Sequence, residues 1–440
     1  MEQFFKKMRE MLGDEFPTFE YSFTQEAYRG IRLNKLKSSY QTLQKCLPFA
    51  LDKVPFCADG YYLPSDVSGI GNHPLHCAGA FYVQEPSAMS AVTMLDVQQG
   101  DYVLDLCAAP GGKSTQIADA LCGGGLLWSN EIVKSRANIL LSNIERLGVR
   151  NAVVSSCHPQ DLCSHLGNFF DKILVDAPCS GEGMFRKDKN AISEWTLEHS
   201  ISCANRQLQI LQTATTALKS GGVIVYSTCT FSHEENEGVI NKFLQSNPDF
   251  ELVDSGEKFG RNTLDFAKRI FPMDGGEGHF AAKLKHKGEY SGQSISNTAN
   301  NRKPDKAILE MYDNVFCNRP FGENLTVIGD KIIALPNGMP NTNGLLVLRA
   351  GVLLGEIFKN RVEPSHSAFM AAKPSDCRSV VDLDINDIRV KKFLSGEQIE
   401  VNDALRGFTA VCVEGVTVGF GKVSNGVLKN KYPKGLRINL

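Results

Sequence analysis

One junction constrains this chain more than any other. The apolar run that starts at Tyr102 leads into Asp105-Leu106-Cys107-Ala108-Ala109-Pro110-Gly111-Gly112, and Lys113-Ser114-Thr115 then opens a helical pattern. A turn of small residues between a strand and a helix lets a ligand approach backbone N–H groups at the helix N-terminus. It demands an open α/β sheet with a binding crevice at the carboxyl ends of the strands.

The junction also rejects two common occupants. A phosphate loop needs glycine five residues before Gly112, where this chain has Cys107, and no G-x-G-x-x-G follows a strand. An adenosyl cofactor without a pyrophosphate remains. Glu131, at the end of the next apolar run, has the place of an acid that accepts hydrogen bonds from ribose hydroxyls, or of an ordinary acid at a helix start.

The surrounding pattern supports a parallel sheet. Strands are predicted at Tyr102–Cys107, Leu126–Glu131, Ala152–Cys157, Lys172–Ala177 and Val223–Thr228. Val133–Leu147 reads as a helix covering the sheet, with Gly148 as its stop. Phe280–Lys285, after the glycine-rich Asp274–Gly278, alternates as a final antiparallel strand should.

A chain of 440 residues exceeds one ordinary core. Residues 288–306, rich in Ser, Asn, Gly and charge, read as a linker. Residues 1–75 open with an amphipathic helix at 2–12, residues 307–379 hold short strands such as Gly344–Leu348, and residues 380–440 form a small β-rich unit with Phe408–Val413, Val416–Phe420 and Gly421–Val427. The net charge of -2 carries no global signature of a polyanion partner, so nucleic-acid contacts must be local. Thirteen cysteines without a Cys-x-x-Cys pair fit reduced thiols, a cytoplasmic location and no metal site. No apolar window is long enough for a membrane span, and the first residues lack a signal-peptide core.

Two cysteines stand apart from the core-forming ones. Asp176-Ala177-Pro178-Cys179-Ser180-Gly181 and Ser227-Thr228-Cys229-Thr230 each follow a predicted strand, so both should face the crevice of the glycine loop. Neighbouring strands lie roughly 5 Å apart, close enough for both to reach one substrate. A thiolate added to C6 of cytosine makes C5 nucleophilic, and a second group must then help to release the product. Pattern alone leaves open which cysteine attacks, since a Pro-Cys turn like Pro178-Cys179 also serves as nucleophile in DNA cytosine methyltransferases.

DLCAAPGGKSTQIA, VDAPCSGEGMFRKD and YSTCTFSHEENEGVI together resemble the signature segments of the Sun/Nop family of RNA cytosine-C5 methyltransferases. GIRLNKLK and NHPLHCAGAFYVQEPSAMSA resemble that family's flanking region, and GFGKVSNGVLKNKYPKGLR resembles the PUA-like module of its bacterial RsmF-type members. The resemblance implies a Rossmann-like class I methyltransferase sheet (76–287), an N-terminal α+β substrate-contacting unit (1–75), a C-terminal α+β unit (307–379) and a PUA-like β-rich domain (380–440). It implies Cys229 as nucleophile and Cys179 as the aid to product release. It also implies S-adenosylmethionine bound by Cys107, Ala108, Ala109, Pro110, Gly111, Gly112, Lys113, Glu131 and Asp176, with His158 or Asp161 at the adenine. Asp176 would also meet the base's Watson–Crick edge, oriented by Lys113.

RNA, with ribosomal RNA of the small subunit ahead of transfer RNA, is the implied partner of a monomeric enzyme. Its expected contacts are Arg32, Asn34, Arg186, Lys187, Lys429, Lys431, Lys434 and Arg437, with Phe185 available to stack on a base. A non-catalytic RNA-binding assembly factor is the rival reading, and the intact cysteines, Asp176 and glycine loop weigh against it.

Overall fold

The computed structural model describes residues 1–290, 304–359 and 361–438; most of the expected linker, 291–303, lies outside them. Three short strands, β1 (Gly30–Leu33), β2 (Gly60–Tyr62) and β3 (Phe81–Val83), form an antiparallel sheet in the order β2-β1-β3 ahead of the catalytic layer. The amphipathic helix expected at 2–12 is present as Glu2–Leu12, and a second helix, Phe16–Ser22, follows it.

The central sheet uses β4 (Tyr102–Asp105), β5 (Leu126–Asn130), β6 (Ala152–Ser155), β7 (Phe170–Asp176) and β8 (Leu218–Thr228) as parallel strands in the order β6-β5-β4-β7-β8. Each lies within a few residues of its predicted range. Side chains alternate between two cores: Leu104, Trp128, Ile173 and Tyr226 point to one, Val103, Leu127, Leu174 and Val225 to the other. Burial on both faces is what near-continuous Val/Ile/Leu runs require. The strand order reverses between β4 and β7, so the crevice opens where the glycine loop and both cysteine turns emerge.

Beyond β8 come β9 (Phe250–Leu252), β10 (Arg261–Thr263), β11 (Ala267–Ile270) and β12 (His279–His286). β12 lies antiparallel to β8, pairing Phe280 with Thr228, and β11 and β10 continue the edge. The opposite edge differs from the sequence expectation. After β13 (Leu325–Ile328) and β14 (Lys331–Ala334), β15 (Val347–Ala350) runs antiparallel to β6 and finishes the catalytic sheet. The sheet is therefore not complete at residue 287: Met339 is buried in its core, Leu345 and Val347 pack partly buried against it, and β15 covers an otherwise open β6 edge. β14 instead pairs with β16 (Val352–Phe358), which pairs with β17 (Arg361–Pro364).

The C-terminal sheet holds β18 (Val380–Leu383), β19 (Ile399–Glu400), β20 (Gly407–Val413), β21 (Val416–Ser424) and β22 (Val427–Asn430), in the order β18-β20-β21-β22-β19. The strand expected at Gly421–Val427 is split by Asn425-Gly426, both at positive φ. That is the Asn-Gly turn that matches the twist of a tight hairpin. Among the described residues no helix is long and apolar enough to cross a membrane.

Candidate active site

Asp176 ends β7 beside Ser227 on β8, so the two chains leave the sheet together. The Ala177 N–H donates to the Ser227 carbonyl at 2.9 Å and the Gly183 N–H to the Cys229 carbonyl at 2.8 Å. A side chain at Gly183 would bring its Cβ within 2.8 Å of the carbonyls of Cys229 and Gly278, so only glycine permits this approach. The result is a Cys179 Sγ to Cys229 Sγ distance of 3.3 Å. The hydrogen bond with Cys229, and burial after it, push the Cys179 thiol well above the usual cysteine range.

Two buried acids that no sequence motif singled out hold this pair. Glu235, fully buried, accepts from the Ser180 N–H at 2.9 Å and from Gln207 Nε2 at 2.8 Å, and Gln207 also donates to the Pro178 carbonyl. Glu182 accepts from Lys7 Nζ at 3.1 Å, Trp195 Nε1 at 3.0 Å and the Phe231 N–H at 2.9 Å. Their signal in the sequence was only a charge within S-G-E-G and H-E-E-N-E, where an exposed acid is the ordinary reading. The N-terminal helix completes the frame, since Phe4 and Phe19 pack with Phe185 and Phe231.

Across the crevice, Lys113 Nζ lies 2.8 Å from Asp176 Oδ2, and Ser227 Oγ donates to Asp176 Oδ1 at 2.8 Å. Burial alone would raise the Asp176 pKa, but Lys113, then His279 and the Ser227 hydrogen bond, outweigh it and hold the carboxyl below its usual value. Burial likewise works against the Lys113 ammonium, and Asp176 more than restores it. The carboxylate is 29% exposed toward the crevice while the lysine is 12% exposed, so Asp176 is the member of the pair that a substrate can meet.

The glycine loop is tied down from three sides. Asn130 Nδ2 donates to the Cys157 carbonyl at 3.0 Å and its Oδ1 accepts from the Cys157 N–H, coupling the ends of β5 and β6. The Ala108 N–H donates to the Asn130 carbonyl at 2.8 Å, and Asn143 and Arg136 reach the carbonyls of Pro110 and Ala109. Ser114 donates to Asp105 Oδ2 at 2.6 Å, leaving the buried Oδ1 of Asp105 without a partner; burial raises that carboxyl to about 7. Burial also pushes the Cys107 thiol up, as suits a residue that shapes the loop. Glu131 is almost fully buried, accepting from the Val133 N–H at 2.9 Å with Arg136 3.3 Å away. His158 and Asp161 are exposed, and His158 Nδ1 caps the helix Pro159–His165.

Several expected RNA contacts are corrected. Arg32 is 2% exposed and donates to the Gly112 carbonyl at 2.7 Å, to Thr115 Oγ1 at 2.8 Å and to Gln84, so it braces the glycine loop from beneath. Asn34, equally buried, bonds the carbonyls of Gly79 and Leu147. Arg186 pairs with Glu277 at 3.0 Å, both side chains being at most 3% exposed, and Phe185 lies in the aromatic cluster. Basic and aromatic residues here serve packing, because a buried guanidinium can satisfy backbone carbonyls that nothing else reaches. Lys187, Lys429, Lys434 and Arg437 are exposed, and Lys431 lies 3.2 Å from Glu363.

Arg186→Ala is expected to lower stability by about 3–5 kcal/mol, since it leaves Glu277 buried and unpaired. A denaturant titration that showed less than 1 kcal/mol of change would contradict this.

Four family models match in chain order: the N-terminal domain of 16S rRNA methyltransferase RsmF over residues 1–86, 16S rRNA methyltransferase RsmB/F over 92–285, the first C-terminal domain of RsmF over 312–371 and the RsmF PUA domain over 380–438. Ribosomal RNA small subunit methyltransferase F of Vibrio vulnificus is 32% identical, with 99% of this chain and 97% of that protein covered. The chain belongs to the RsmB/F family of 16S rRNA methyltransferases. The relative of the same name from Aliivibrio salmonicida is 32% identical over 93% of this chain and 91% of its own length. Among solved structures, a methyltransferase homologue from Pyrococcus horikoshii is 31% identical, with a TM-score of 0.54 over 62% of this chain and 91% of its own. NSun6 from the same organism, solved with SFG, has a TM-score of 0.55 over 65% of this chain and 98% of its own at 22% identity, a likeness of fold. The fold class read from the sequence, an α/β methyltransferase sheet extended by a PUA domain, is the family's.

Proposed function

We propose that this RsmB/F-family enzyme transfers a methyl group from S-adenosylmethionine to C5 of a cytosine in small-subunit ribosomal RNA, through a bond from Cys229 to C6. The observation that carries the reading is the pair of thiols 3.3 Å apart at two adjacent strand ends, facing the Lys113–Asp176 ion pair. Either sulfur could donate across this contact, and the raised Cys179 thiol favours Cys179 as the S–H and Cys229 as the attacking sulfur.

The donor set fits the cofactor. Glu131 and Asp176 bring two acidic side chains around a loop of small residues, and the buried Oδ1 of Asp105 beneath it has no hydrogen-bond partner. When bound there, the cofactor supplies an electrophilic methyl group on a cationic sulfur. Cys107–Lys113 would hold its methionine end and Glu131 the ribose, with His158 or Asp161 toward the adenine.

The chain's own residues handle the base. Asp176, ionised and held by Lys113 and Ser227, presents a carboxylate to the Watson–Crick edge of a cytosine taken out of its stack. The Cys229 thiolate adds to C6, the C6–S bond forms, and the ring electrons move toward C5, which takes the methyl group. The Cys179 sulfur then takes the C5 proton as its own S–H proton passes to the Cys229 sulfur, so that the C6–S bond breaks and the C5–C6 double bond returns. Cys179 lies beside the departing sulfur and can give it a proton. Exposed Lys429 and Lys422, paired directly across β21 and β22, leave two like charges together without an acid later in the sequence, and phosphate is the natural counter-ion.

The test is methyl transfer from labelled S-adenosylmethionine to small ribosomal subunits, naked 16S RNA and transfer RNA, followed by mapping of 5-methylcytosine. Label at a cytosine of the small-subunit RNA supports the reading. Label on transfer RNA alone overturns the substrate, and no transfer to any RNA overturns the activity.

A further inference from the structure

His279 takes no part in the chemistry above, yet it stands within the same group of side chains. It opens β12, and because Phe280 pairs with Thr228, it lies opposite Cys229 across the β8–β12 ladder, with Ile270 of β11 on its other side. It is 1% exposed, and neither ring nitrogen makes a hydrogen bond of acceptable geometry, the neighbouring Gly278 carbonyl included. Its Nε2 is 3.9 Å from Asp176 Oδ1, the oxygen that already accepts from Ser227. A buried imidazole with no partner is a cost that a packed core does not tolerate without a reason.

The segment that carries it is built firmly. The Glu277 N–H donates to Glu85 Oε1 at 2.8 Å, and the Glu85 carboxylate also takes the Ser87 N–H and hydroxyl and the Ala88 N–H. A Cβ on Gly276 would meet Ser87 at 2.5 Å, so His279 enters the site from a turn packed closely on Ser87. What can move is the side chain of Asp176, the last paired residue of β7, which is partly exposed.

We propose that His279 is a positioning residue for Asp176: its Nε2–H closes on Oδ1 when a bound cytosine engages the carboxylate, and fixes the angle at which Asp176 meets the base. This rests on the reading of Asp176 as the acid that faces the base. Catalytic hydrogen bonds are often long before substrate binds and shorten in the complex. The charged groups that face the ring are Lys113 from the helix Gly112–Leu121, Asp176 from β7 and Glu85 from the turn before Ser87. Burial and then Lys113 lower its pKa to about 4, with Asp176 and Glu85 opposing, so the ring is neutral above about pH 5. A neutral donor adds a hydrogen bond to Asp176 without competing with the Lys113 charge.

Three variants of the full chain test this, assayed on whichever RNA the wild type methylates. His279→Phe removes the donor at similar size, His279→Gln keeps an N–H at the reach of Nε2, and His279→Asn falls one carbon short. His279→Phe is expected to lower kcat about 10- to 100-fold, to leave cofactor affinity within about 2-fold, and to move the acid limb of the kcat profile to higher pH. That direction follows because a carboxylate that loses a donor is protonated more readily. His279→Gln should recover kcat to within about 3-fold of the wild type while His279→Asn does not. Equal losses in Gln and Asn, or a Phe variant with wild-type kcat and acid limb, overturn the proposal; the Gln and Asn comparison stands even where Phe fails to fold. A wild type inactive on every RNA instead removes the functional reading, and this inference with it.

Discussion

Cys229→Ala is expected to abolish methyl transfer, with a loss in kcat on the order of 10⁴-fold or more, as for removal of any attacking nucleophile. It should also form no denaturant-stable adduct with RNA that carries 5-fluorocytosine at the target. The neighbouring variant makes the result specific. Cys179→Ala leaves the Cys229 sulfur and the frame of Glu235, Gln207 and Gly183 in place. It should still form the adduct, and should accumulate it on unmodified RNA because the group proposed to take the C5 proton and to protonate the departing sulfur is missing. Gel mobility of the protein–RNA species reads both. A Cys229 variant that still crosslinks, beside a Cys179 variant that does not, would exchange the two roles.

Asp176→Asn carries the second large effect. It removes the carboxylate proposed to meet the base and also the counter-charge of Lys113. A fall in kcat of about 10²- to 10³-fold is expected, the size seen when one preorganised electrostatic partner is lost. The pH profile separates this from a local distortion. In the native protein Asp176 is held below its ordinary pKa and Lys113 above its own, so the ion pair persists from below pH 4 to above pH 10 and neither group titrates between pH 5 and 9. In the variant, burial of Lys113 acts unopposed by Asp176, its pKa falls, and the alkaline limb of kcat should move to lower pH. A variant with kcat within about 3-fold of the native enzyme and an unmoved alkaline limb would remove Asp176 from the mechanism.

Arg32 shows where reading along the chain fails. A basic residue in G-I-R-L-N-K-L-K beside Asn34 reads as a phosphate contact, because the sequence records charge and not depth. The fold places β1 against the helix that begins at Gly112, where the guanidinium satisfies the Gly112 carbonyl and Thr115. Arg186 and Phe185 fail likewise, being absorbed by Glu277 and by the aromatic cluster that the first helix brings from about 175 positions away. β15 is the same error at the scale of a strand. Val347–Ala350 reads as part of a separate unit because β6, its partner, lies almost 200 residues earlier.

Local order and spacing determined the rest. The strand–glycine loop–helix junction, the five parallel strands and the two cysteine turns were legible because each depends on neighbours within a dozen residues, on periodicity and on turn chemistry. Tertiary structure alone decided what stands between those segments. It set the 3.3 Å between Cys179 and Cys229, the Lys113–Asp176–Ser227 contacts, the burial of Glu182 and Glu235 behind them, and His279 beside Asp176. These belong to pairs that the crossover order of the sheet brings together, and the free energy of a buried charge depends on its surroundings in space, which linear spacing does not record.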